Sequence, residues 1–182
     1  MNAEPGSDRL FFALWPSAVE TQSMADYAAG LVCQGGRRIG GDRLHLTLAF
    51  IGSVARERRP AIEAMAASLD AADFVLAFDR IGLWRRSGIV WTGCSVVPPA
   101  AAGLAASLRD GLAALELPVE RRAFRPHVTL FRRARGLAPA EPPALAWACR
   151  EFVLVGSELE AAGARYRVLA RFGLGAGAAS GV

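Results

Sequence analysis

Apolar and polar residues are arranged along this chain in short blocks that predict alternating strands and helices. Arg9–Trp15, RLFFALW, is an apolar, aromatic run stopped by Pro16, which predicts a buried strand. Ser17 follows, with Glu20 three residues on as in a capping box, and apolar positions then recur at helical spacing until Gly35-Gly36. Leu44–Ile51 alternates with the period of a strand, and Gly52-Ser53 turns the chain into a second helix over about residues 57–70. Phe74–Leu83 and Gly88–Val97 predict an antiparallel pair joined near Arg85–Gly88. Pro98-Pro99 opens a third, alanine-rich helix that Pro118 closes. His127–Phe131 predicts a strand, Gly136–Pro143 a proline-rich connection, and Ala146–Ser157 and Arg165–Leu174 two final strands. Nothing in Gly175–Val182 can anchor it, so a single domain over 1–174 is expected to end in a disordered tail over 175–182. Three helices among strands, with no regular βαβ succession, indicate α+β with largely antiparallel sheets.

The same tetrapeptide pattern occurs twice inside these strands. The chain has two histidines, and they open His45-Leu46-Thr47-Leu48 and His127-Val128-Thr129-Leu130. Side chains of a strand alternate faces, so each histidine shares a face with the threonine two residues on, while the apolar residues point the other way. By this alternation Leu44, Leu46, Leu48 and Phe50 bury one face, leaving His45, Thr47 and Ala49 on the other. If the two strands meet, two imidazoles and two hydroxyls converge. Imidazole titrates near neutral pH, so the pair can supply both a base and an acid at a phosphate, with hydroxyls bonding its oxygens. A lone histidine on a half-apolar strand is more often structural; the repetition of the pattern, with no histidine elsewhere, argues for chemistry.

Composition narrows the chemistry further. All 21 basic residues are arginine and the net charge is +4, which suits bidentate recognition of phosphate, although a high-GC coding sequence would also favour arginine over lysine. Without lysine there is no P-loop lysine, no Schiff base and no lysyl-nucleotide intermediate. Arginine is densest around the second motif, where Arg121, Arg122, Arg125, Arg132, Arg133 and Arg135 could track a polyanion. Strict alternation puts Arg133, not Arg132, on the histidine face, unless a bulge reverses it. No third histidine or suitably spaced carboxylate accompanies either motif, so metal binding is a poor fit. Cys33, Cys94 and Cys149 form no C-x-x-C pair and read as small buried hydrophobes in a reducing cytoplasm. The N-terminus lacks signal-peptide features and no apolar stretch is long enough to span a bilayer, so a cytoplasmic protein with no membrane partner is expected.

Together, RLFFAL, LHLTLAFIG, FRPHVTLFR and SELEAAGARYRVLARFGL, in that order, resemble the two-histidine phosphoesterases, and within them the RNA 2′,3′-cyclic phosphodiesterases or 2′-5′ RNA ligases. The likeness covers nearly the whole chain apart from its extreme termini. It implies a bilobal fold with pseudo-twofold symmetry, antiparallel sheets from each lobe lining a central groove and helices packed outside. It also implies hydrolysis of a 2′,3′-cyclic phosphate on an RNA or oligonucleotide end to a 2′-phosphate, with a weak reverse ligation. No metal or other cofactor is expected, and a monomer is.

By that resemblance His45 protonates the leaving 3′ oxygen, His127 activates water, and Thr47 and Thr129 hold phosphoryl oxygens. Arg132 matches an arginine after the second motif and Phe50 an apolar or aromatic position after the first; Phe50, Arg125 and Arg133 are candidate RNA contacts. Trp84 and Arg85 depart from the pattern, where more proline and glycine would be expected. The motifs leave two alternatives open: a small substrate such as ADP-ribose 1″,2″-cyclic phosphate or a cyclic nucleotide, and an RNA-end-binding module without turnover.

Overall fold

A computed structural model describes residues 6–120, 122–160 and 163–175. Arg121 and residues 176–182 of the expected tail lie outside the described residues. Gly175, assigned to that tail, is tied down: its N–H donates to the Ala71 carbonyl at 3.0 Å, and its own carbonyl accepts from Asp73 N–H at 2.7 Å.

The fold is α+β. Strand β1 (Ser7–Leu14) leads to helix α1 (Ala18–Gly30), strand β2 (Cys33–Arg38), strand β3 (Leu46–Ala55) and helix α2 (Arg59–Ala67). Strands β4 (Phe74–Phe78), β5 (Arg80–Trp84) and β6 (Ile89–Gly93) precede helix α3 (Pro99–Ala114). Strands β7 (His127–Leu137), β8 (Leu145–Cys149), β9 (Glu151–Glu160) and β10 (Gly163–Gly173) follow. The main sheet runs β10-β9-β1-β3-β7-β6-β5, with β2 added beside β7, and β4 pairs with β8 in a second sheet. Every pairing between these strands is antiparallel.

One face of the main sheet carries the core. Leu10, Phe12 and Leu14 of β1, Leu46 and Leu48 of β3, and Val128 and Leu130 of β7 pack there with Leu104, Leu108 and Leu112 of α3 and Ile62 of α2. Gly111 of α3 leaves room for the Met65 side chain of α2. β1 is buried on its second face too, where Phe11 and Ala13 cluster with Val153 and Val155 of β9. That double burial explains why RLFFALW is apolar throughout rather than alternating.

The capping box at α1 is present: Ser17 N–H donates to Glu20 Oε2 at 3.0 Å, and Ser17 Oγ accepts from Val19 N–H at 3.2 Å. The helix ends at Gly30, however, and Gly35-Gly36 belongs to β2 instead of closing it. β2 is an almost wholly exposed edge strand joined to β7 by its backbone, so its side chains show no burial pattern. Phe74–Leu83 breaks at Asp79, whose carboxylate accepts from Ser95 N–H at 2.6 Å and turns the chain between β4 and β5. Ala146–Ser157 likewise divides at Arg150, and β7 continues through Gly136 to Leu137. Cys149 is buried, Cys33 and Cys94 are only half-buried, and all three are free. Among the described residues, no helix is long and apolar enough to cross a membrane.

Candidate active site

The two motifs meet where β3 and β7 pair at Leu46↔Val128. Both of these side chains are fully buried, so their neighbours His45, Thr47, His127 and Thr129 take the opposite face. Extending the antiparallel register by one residue sets His45 across from Thr129 and Thr47 across from His127. The histidines are then diagonal neighbours, a relation that separates backbone positions by about 7–8 Å and leaves space between the rings for a phosphate-sized group. A pseudo-twofold axis through the Leu46–Val128 pair would exchange the motifs.

The same local device fixes each ring. His45 Nδ1 lies 2.8 Å from the Arg43 carbonyl, and His127 Nδ1 lies 2.8 Å from the Arg125 carbonyl. A carbonyl only accepts, so Nδ1 carries the hydrogen and Nε2 of the neutral ring is left as the base. In each case the carbonyl belongs to the residue two positions upstream, where the chain enters the strand.

Aromatic rings surround the imidazoles unequally. Trp15 stacks on His45 with ring centroids 5.8 Å apart and planes at 9°, while Phe11 and Tyr166 approach it at 5.0 Å each. Trp84 meets His127 edge-to-face at 4.7 Å. Burial is the main influence on His45, pushing it down to about 4; the Arg43 carbonyl opposes this, and the Arg132 and His127 charges add to it. His127 is lowered as well, by burial first, against the Arg125 carbonyl and with a contribution from Arg132. Both rings are therefore neutral at pH 7, and Arg132 carries the charge that both feel.

An open groove of about 590 Å³ lies over this face. His45, Thr47, Phe50, Thr129, Arg132 and Arg133 line it, joined by Arg9, Phe11, Arg37, Arg38, Arg43 and Tyr166. Simple alternation fails at two of these positions. Phe50, expected on the buried face with Leu48, is 40% exposed and lines the groove, with the Arg9 guanidinium 5.2 Å from its ring centroid. Along the pairing with β1, Leu48 and Ile51 of β3 are extra residues, and these bulges shift the phase of the strand. On β7, Leu130 is the extra residue opposite β6, and the phase change turns Arg132 into the groove, which Arg133 lines as well. The bulge thus does what strict alternation alone would not, bringing in Arg132. The Arg125 side chain is exposed and does not line the groove; its carbonyl is what reaches the site.

Sequence reasoning does not single out Phe11, Trp15, Tyr166, Arg9, Arg38 or Arg43 as site residues. Arg43 flanks the first motif, and Arg9, Phe11 and Arg38 sit on strands paired beside a motif strand. Trp15 follows β1, whereas Tyr166 comes from β10, two strands further out, so only the sheet order brings it in. Among the described residues, no cluster of three or more His, Cys, Asp or Glu side chains could hold a metal ion.

His45 within an arginine-lined groove, and His127 on the neighbouring strand but outside the groove lining, form a pair able to move protons at a phosphate ester. The family model described as LigT like Phosphoesterase matches residues 16–91. The RNA 2′,3′-cyclic phosphodiesterase of Escherichia coli (strain K12) is 36% identical over 169 residues, covering 91% of this chain and 96% of that protein. The Thermus thermophilus protein of the same name is 31% identical over 179 residues, covering 91% and 90% respectively. A crystal structure of E. coli LigT complexed with 3′-AMP matches with a TM-score of 0.85 at 34% identity, covering 92% of this chain and 98% of that one. The chain belongs to the LigT-like phosphoesterase family and is a phosphoester hydrolase.

Proposed function

We propose that the protein hydrolyses 2′,3′-cyclic phosphates at RNA ends to 2′-phosphates, using His45 and His127 as acid and base without a metal or other cofactor. The observation that carries this reading is the matched pair of imidazoles on neighbouring strands, each held through Nδ1 by a carbonyl so that Nε2 is left as the base. The cyclic phosphate sits between the rings, Thr47 and Thr129 donate hydrogen bonds to its non-bridging oxygens, and Arg132 offsets their charge. His127 takes a proton from water as the water oxygen attacks phosphorus. The bond to the 3′ oxygen breaks, and His45 gives that oxygen its proton.

The unequal burial of the rings suits these roles. His45, lowered to about 4, is a strong acid once protonated. Little of the free protein carries a proton there at neutral pH, and the negative charge of a bound phosphodiester favours that protonated form. With a 5′-hydroxyl in place of water as the nucleophile, the same proton transfers open the cyclic phosphate into a 2′-5′ linkage while the 3′ oxygen leaves, a weak ligation. RNA is favoured as the substrate because the E. coli and T. thermophilus relatives are RNA 2′,3′-cyclic phosphodiesterases and because the groove is arginine-rich. Phe50 and Arg133, which line the groove, are assigned to contacts with the strand.

The test is to incubate the protein with an oligonucleotide ending in a 2′,3′-cyclic phosphate in ¹⁸O-water, with and without EDTA. The expected product gains one labelled water, carries a 2′-phosphate, and forms at the same rate under chelation. Binding without gain of water, or a rate abolished by EDTA and restored by a divalent metal, contradicts the proposal.

A further inference from the structure

Arg133 holds a backbone conformation with φ 59°, in the left-handed region that residues with a Cβ seldom enter. Its neighbours impose that kink. Gly88, at φ +63°, accepts the Ala134 N–H on its carbonyl at 2.9 Å, and a Cβ on Gly88 would lie 3.1 Å from the Arg133 Cα. On the other flank Gly36 brings β2 so near that a Cβ there would lie 3.0 Å from the Ala134 Cα. Glycines of the β5–β6 turn and of β2 therefore grip β7 at this point, and consecutive arginines, Arg132 and Arg133, both line the groove. A regular strand sends adjacent side chains to opposite faces.

Glycine would satisfy the backbone at 133 with less strain, so the guanidinium itself has to account for the arginine. Among the described residues, neither Arg132 nor Arg133 forms an ion pair. Their places differ. The Arg132 charge acts on both imidazoles, whereas Arg133 is not among the charges that shift either one. Arg132 thus faces the imidazoles, and Arg133 lies one residue further along β7 from His127, on the same arginine-lined groove.

We propose that Arg133 binds a second phosphate, the phosphodiester linking the terminal nucleotide to its 5′ neighbour, and thereby makes the enzyme prefer oligonucleotides to mononucleotides bearing the same cyclic end. This rests on the RNA-end reading and extends it to the length of strand recognised. It predicts that a charge one step away from the chemistry sets specificity through kcat/KM, with no part in proton transfer.

The experiment compares kcat/KM for adenosine 2′,3′-cyclic phosphate with that for the dinucleotide ApA ending in a 2′,3′-cyclic phosphate, in the unaltered protein and in Arg133→Gly. Glycine adopts φ 59° freely, so the fold is retained. The dinucleotide-to-mononucleotide ratio should fall about 10- to 100-fold in the variant, the worth of one hydrogen bond between charged groups. A dinucleotide with an uncharged methylphosphonate linkage should show the same loss in the unaltered protein and no additional loss in Arg133→Gly. An unchanged ratio, or a methylphosphonate effect of equal size in both proteins, would overturn the proposal. If the unaltered protein turns over neither substrate, the RNA-end reading fails, and this inference falls with it.

Discussion

At the scale of single residues, the site depends on which imidazole nitrogen carries hydrogen and how far each ring is taken from water. His45 has the stronger environment, stacked on Trp15 and flanked by Phe11 and Tyr166. Its folded-state value, about 4, lies below the ordinary 6.5 that the unfolded chain regains. Between those limits the unfolded state binds more protons, so stability is complete above pH 6.5 and is lost as pH falls towards 4. At about 1.36 kcal/mol per unit, His45 accounts for up to about 3 kcal/mol of acid destabilisation. Urea unfolding at pH 7 and at pH 4 should therefore show a smaller acid loss in His45→Asn than in the unaltered protein. An identical loss in both would mean that the ring is not desolvated.

At the scale of elements, the capping box of α1 gives a local prediction. Ser17→Ala leaves a first-turn N–H without its acceptor and should lower stability by about 1 kcal/mol, read from the urea midpoint at constant slope. That box was legible because its signal lies in four adjacent residues. The histidine strands were legible for a similar reason: HLTL and HVTL combine rare residue types with a period of two. β2 was not legible, since CQGGRR has no buried side chains and is held by backbone pairing to β7. The bulges at Leu48, Ile51 and Leu130 were hidden as well, because an extra residue is defined by the partner strand and not by its own sequence. Those bulges decide that Phe50 and Arg132 face the groove. The aromatic wall around His45 joins residues near the chain's beginning to Tyr166 near its end, a contact that only the β10-β9-β1 order creates.

At the scale of the whole molecule, one continuous antiparallel sheet sets two distant motifs side by side, with the core on one face and the chemistry on the other. The helices cover the core face and leave the groove open to a long anionic substrate. Because β3 and β7 touch at Leu46↔Val128, any packing that preserves this pair preserves the site. The measurement that tests this most directly is a double-mutant comparison of turnover on an oligonucleotide with a 2′,3′-cyclic phosphate end. His45→Ala and His127→Ala should each slow turnover by about 10²–10⁴-fold, the usual loss for an acid or base. If both rings act on one phosphate, the double variant should be little slower than the worse single one. Losses that multiply, or near-normal turnover with either histidine removed, would contradict a shared site.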